Sequence, residues 1–135
     1  MVMGPSQNKF MKYLLLILTI FLAGCETTPT NPEFWMEREI NACLPTAIVF
    51  KQSLHKYGVW SEVFRYAWIG KDDHKYHGHA MVAYLYPIGK NQLWTYDSKG
   101  SYRTRAFTNN VQQIAQRAHY VRGGTETVFQ AEFIK

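Results

Sequence analysis

Three side chains in this sequence have the chemistry of a nucleophilic site: the thiol of Cys43, the imidazole of His79 and the carboxylate of Asp97. A thiolate attacks a carbonyl carbon, an imidazole takes up and returns the proton, and a carboxylate fixes the imidazole tautomer. That is acyl-transfer chemistry at an amide. It requires elements that bring three distant residues to one point.

The stretch "CLPTAIVFKQSLHKYG" predicts a helix from about Cys43 to Tyr57. Pro45 fits a first turn, and Gly58 fits the position just past the end. Cys43, Ala47, Phe50, Leu54 and Tyr57 share one face, which should pack on a sheet. Cys43 then stands at a helix start, where the dipole and free N–H groups favour a thiolate and can hold an oxyanion. Before it, "FWMEREI" (Phe34–Ile40) reads as a separate short helix or turn. Residues 59–69 and 79–86 read as strands around a polar loop, 70–78, and Gln92–Asp97 as the hairpin partner of the second strand. "YRTRAF" reads as a further strand, Asn109–Ala118 as a helix capped by Asn109, and "HYVRG" and "TVFQAEFI" as late strands. The class is α+β. In the hairpin the start of one strand lies beside the end of the next, so His79 should neighbour Asp97, with Cys43 facing them from the helix.

Compartment decides what a free thiol means. Lys9 and Lys12 precede the apolar run "YLLLILTIFLA" (Tyr13–Ala23), a secretory signal too short to span a bilayer, which takes roughly 20 residues. The run ends in "LAGC", which resembles the bacterial lipobox. The resemblance implies that Cys25 is lipidated and becomes the first mature residue, and that Glu26 directs the protein to the outer membrane, facing the periplasm. Multiple acyl chains give lasting anchoring. Met11 opens "MKYLLL", a second signal start inside the first. The expected organisation is residues 1–24 as lipoprotein signal, 25–32 as lipidated cysteine and polar tether, and 33–135 as one domain. Cys43 is then left unpaired in an oxidising compartment: a reactive thiol, or a small buried hydrophobe.

The ordered set Cys43, "GVWSEVF", "HAMVAYLY" and "WTYDSKG" resembles the transglutaminase-like branch of the papain-like cysteine peptidases over about residues 41–101. The resemblance implies a papain-like α+β core, with Cys43 as nucleophile, His79 as base and Asp97 as orienting acid. It implies metal-free hydrolysis of peptide or isopeptide amides, or acyl transfer to amines. Met81 and Ser98 depart from the family pattern, and "NAC" replaces its usual lead-in. Glu37 stands where papain-type enzymes often have a glutamine, which leaves Asn41 as the side-chain oxyanion candidate.

No cofactor is expected. Asp72, Asp73, His74, His77 and His79 are dense enough to suggest a metal, but they lack the spacing of a firm zinc site, and none is assigned. His74 and His77 are expected in a mobile loop near the cleft, and His119 as a structural residue. Without the signal, thirteen basic residues face ten acidic ones, a scattered excess that reads as a solvated face. Nothing resembles a nucleic-acid motif. Trp94 and Tyr96, nearest the acid, are the groove candidates. The expected partners are a membrane lipid anchor and a protein or peptide substrate, peptidoglycan-linked peptides included. The alternative is a non-catalytic binding lipoprotein of the same fold.

Overall fold

The computed structural model describes residues 31–135. The expected signal, Cys25 and the tether up to residue 30 lie outside the described residues.

The first element is a single 25-residue helix, α1 (Pro32–Lys56). Asn31 caps it, its side-chain oxygen accepting the Glu33 N–H at 3.0 Å, and Pro32 fills the first turn. This corrects the sequence reading of two elements, because Pro45 lies in the helix interior and Cys43 does not open a helix. The reason is one continuous apolar stripe. Met36, Ile40 and Ala47 are buried, with Cys43, Leu44, Phe50 and Leu54 packed alongside. Burying that stripe outweighs the roughly 3 kcal/mol that an interior proline costs. At the far end Tyr57 caps the helix and Gly58 takes φ 69°, the left-handed conformation predicted just past the end.

Five strands follow: β1 (Ser61–Ile69), β2 (Tyr76–Leu85), β3 (Gln92–Asp97), β4 (Gly100–Ala106) and, after the helix α2 (Val111–Val121), β5 (Val128–Phe133). They form one antiparallel sheet in the order β4-β3-β2-β1-β5. The fold is therefore α+β. Asn110 caps α2 rather than Asn109, accepting the Gln113 N–H at 3.1 Å. The helix runs on through His119, so "HYVRG" is not a strand. Ile114, Ala115, Ala118 and His119 are its buried face, and ending it at Ala118 would break that stripe.

The helices lie on opposite faces of the sheet. Phe64, Met81, Ala83 and Leu93 pack with Ile114, Ala115 and Ala118 of α2. The alternate residues Val63, Val82 and Tyr84 pack with Ala47 of α1, and Ala67 and Ala80 pack with Met36 and Ile40. Strand β2 is consequently buried without interruption from Gly78 to Tyr84, where alternation was expected. It also starts at Tyr76, which puts His77 in the strand rather than in a loop.

One irregularity positions the site. Strand β3 pairs with β2 only over Val82–Leu85. The first half of β2 therefore has no strand on that side, and α1 covers it. A Cβ on Gly78 would sit 2.6 Å from Ile40 Cγ1 and 2.7 Å from the Met36 carbonyl oxygen, so this close approach requires glycine. The edge N–H of Gly78 is satisfied by Glu39 Oε2 at 2.8 Å, a helix side chain in place of a ladder bond.

Candidate active site

Cys43 stands one helical turn beyond Glu39 on the same side of α1, at the gap where β3 stops. His79 leaves β2 on the α2 side, and Asp97 is the last residue of β3. The open edge lets the thiol and the imidazole meet. Cys43 Sγ lies 3.0 Å from His79 Nδ1, and His79 Nε2 lies 2.9 Å from Asp97 Oδ2. Cys43 is half-buried and reachable, whereas His79 and Asp97 are 7% and 3% exposed. The structure thus brings together all three residues singled out in the sequence.

Two further residues belong to this cluster and were missed. Arg122, the C-cap of α2, donates from Nε to Asp97 Oδ2 at 2.7 Å, the same oxygen that faces His79. Its Nη1 also donates to the Tyr66 hydroxyl at 3.3 Å. The Tyr66 ring meets the His79 ring edge-on at 5.9 Å. The other carboxylate oxygen of Asp97 accepts the Lys99 backbone N–H at 2.9 Å. Reading "HYVRG" as a strand hid Arg122. The apolar period of α2, followed one more turn, would have placed it at a helix end.

These neighbours set the protonation states. Burial, and then the Arg122 guanidinium, push the His79 pKa down to about 4, although Asp97 pulls it up. Burial raises the Cys43 thiol above its ordinary value, against the pull of the Ala80 N–H and of Arg122. Burial would raise Asp97, but the hydrogen bonds from His79 and Lys99 and the charge of Arg122 hold it low and ionised. At neutral pH the site is therefore a thiol, a neutral imidazole and a carboxylate. With Nε2–H donating to Asp97, the Nδ1 lone pair faces the S–H. The sequence reading expected a helix-start thiolate. An interior position in α1 instead commits the neighbouring N–H groups to carbonyls four residues back.

The other candidates are dispersed. Asn41 is exposed, and two residues of helix turn it about 200° from Cys43, onto the opposite side of α1. Glu37 is engaged by Arg65 of β1. His77 has a separate environment: Nδ1 lies 3.0 Å from Glu39 Oε1, Nε2 lies 2.7 Å from Asp73 Oδ2, and the ring stacks on Trp68. His119 is buried with its ring 4.5 Å from the same indole and contacts Glu126 at 3.0 Å. Tyr96 stacks on Phe50 with ring centroids 3.7 Å apart, and Trp94 donates its Nε1–H to the Tyr86 carbonyl at 3.0 Å. Among the described residues no group of histidine, cysteine and acid side chains could hold a metal ion. Comparison with protein families, characterised proteins and solved structures finds no match to this chain.

Proposed function

We propose that this protein is a cysteine hydrolase or acyltransferase acting on peptide or isopeptide amides through Cys43, His79 and Asp97. The observation that carries this reading is the continuous chain of contacts from thiol to imidazole to carboxylate, 3.0 Å and 2.9 Å. In this mechanism sulfur attacks the acyl carbon while its proton passes to His79 Nδ1. Asp97 stabilises the imidazolium, which then protonates the departing amine and leaves a thioester on Cys43. Water or a second amine, deprotonated by Nδ1, attacks the thioester and frees the thiol. The resemblance of residues 41–101 to the transglutaminase-like branch supports the same chemistry and a papain-like core. The signal and "LAGC" support lipidation at Cys25 and a place on the periplasmic side of the outer membrane.

Peptidyl aminomethylcoumarin amides, with hydroxylamine as competing acceptor, test the reaction. Coumarin release by the wild type, its loss in Cys43→Ser and His79→Ala, and a thioester mass on Cys43 are expected. Release no greater than in Cys43→Ser, from folded protein, would sink the reading. The interior helical position of Cys43 favours a second reading, a binding lipoprotein that keeps the cluster without turnover. It predicts that Cys43→Ala leaves the cellular phenotype intact.

A further inference from the structure

The proposed reaction leaves the substrate open, and the surface beside Cys43 narrows it. A trough of about 370 Å³ runs along α1 away from the thiol, lined by Pro45, Thr46, Val49, Phe50, Ser53 and Tyr96. None of these six carries a charge. Thr46 lies one helical turn beyond Cys43, so the trough begins one turn from the thiol. Its wall is aromatic: Phe50 stacks on Tyr96 and meets Tyr84 edge-on at 5.6 Å. Val49 is 61% exposed at its rim, an apolar side chain held in solvent.

The sheet beyond the trough is different in character. Helix α1 covers β1 and β2 on this face and reaches β3 through the Phe50–Tyr96 stack, while Ser101 and Arg103 of β4 stay exposed. Ser101 lies opposite Tyr96, and Arg103 lies opposite Trp94, so these four share a face. The Tyr84 hydroxyl donates to Ser101 Oγ at 2.8 Å and fixes the near corner. Arg103 is exposed, and no acidic side chain among the described residues pairs with it. No acidic residue lines the trough, and Asp97 is buried and already paired with Arg122. An uncharged slot with an unpaired guanidinium on the same sheet face, two strand positions from Tyr96, complements a side chain and a charge of defined sign.

Building on the amide-cleaving reading, we infer that this trough is the substrate groove and that it takes an extended peptide. An aromatic or branched apolar side chain fills the space between Val49 and Tyr96, and an adjacent carboxylate faces Arg103. The groove selects acidic–apolar peptide segments over basic or glycine-containing ones.

Binding separates this inference from the chemistry. Folded Cys43→Ser protein is titrated with N-acetyl-Glu-Phe-amide, N-acetyl-Lys-Phe-amide and N-acetyl-Glu-Gly-amide, and amide NMR shifts are followed. The Glu-Phe peptide should bind at least about tenfold tighter than either other, with shifts at Thr46, Val49 and Tyr96; tenfold corresponds to 1.4 kcal/mol. Val49→Asp, at an exposed position, should abolish that preference, and Arg103→Glu should favour the Lys-Phe peptide. Equal binding of the three peptides, or shifts confined to other surfaces, overturns the groove. Selective binding without turnover by the wild type would leave the groove standing and remove the hydrolase. Turnover indifferent to these peptides would do the reverse.

Discussion

His77 and His79 project from the same face of one strand, yet their environments push their pKa values in opposite directions. Both ring nitrogens of His77 meet carboxylates, Glu39 and Asp73. Burial works against its protonation, but those two hydrogen bonds prevail and raise its pKa. Only an imidazolium can donate to both. His79 meets one thiol and one carboxylate, and that carboxylate is shared with Arg122. Burial is the larger cause, and the cation takes up much of what Asp97 could offer an imidazolium. The difference lies in the deeper burial of His79, in how many unshared acids each ring touches and in one arginine contributed by α2 on the same side of the sheet. A neutral base beside a neutral thiol is the outcome at His79, and a clasp between a loop and α1 that favours the imidazolium is the outcome at His77.

The strongest way to break this contrast is to remove the shared acid. Asp97→Asn strands the partly buried Arg122 cation and should cost about 3–5 kcal/mol in urea denaturation, as for any broken buried pair. A loss under 1 kcal/mol would mean that Arg122 finds water instead.

The next effect is a pH dependence. Between about 4 and 6.5 the folded state keeps His79 neutral while the unfolded chain binds a proton. Stability from this residue is therefore complete above 6.5 and declines as pH falls towards 4, by up to about 3 kcal/mol. In Arg122→Met the Asp97 charge is unshared, so His79 should titrate at higher pH and this acid decline should shrink. Unfolding free energies measured across that range, together with imidazole NMR titration, check both points. An unchanged His79 midpoint in the variant would refute the role given to Arg122.

Gly78→Ala tests how closely α1 covers the strand edge beneath both histidines. The added methyl meets Ile40 and the Met36 carbonyl, and should cost about 1–3 kcal/mol in thermal or urea unfolding. It should also lengthen the contact from Cys43 to His79, seen as a changed His79 chemical shift. A neutral substitution would show that α1 can lift away freely.

The smallest effect belongs to His77. Its raised pKa gives stability that is complete below the ordinary histidine value and lost as pH rises through the raised one. With Glu39 and Asp73 exposed to solvent, the loss should be about 0.5–1 kcal/mol, and His77→Gln should flatten it. A steeper alkaline loss in the variant would contradict the clasp.

Much of the architecture was legible because local patterns carry it. Gln92–Asp97 was read with its true bounds, and Gly58 with its true role. The ends of α1 and α2 were misread for related reasons. Pro45 resembles a first-turn proline unless the apolar stripe is followed back to Met36 and the cap at Asn31 is noticed. "HYVRG" resembles a strand unless the stripe of α2 is followed to His119. In both places tertiary burial overrode a local signal.

What the sequence by itself determined is the inventory: one thiol after Cys25, an imidazole at a strand, an acid at a strand end, and apolar periods sufficient for an α+β core. The tertiary structure decided their state. Strand β3 stops short of the first half of β2, so a helix side chain can reach through the open edge to His79. Helix α2 ends where Arg122 can share Asp97. Both depend on the mutual placement of elements that are distant along the chain. Charge states in a buried cluster follow distances between side chains, which no spacing along the sequence specifies.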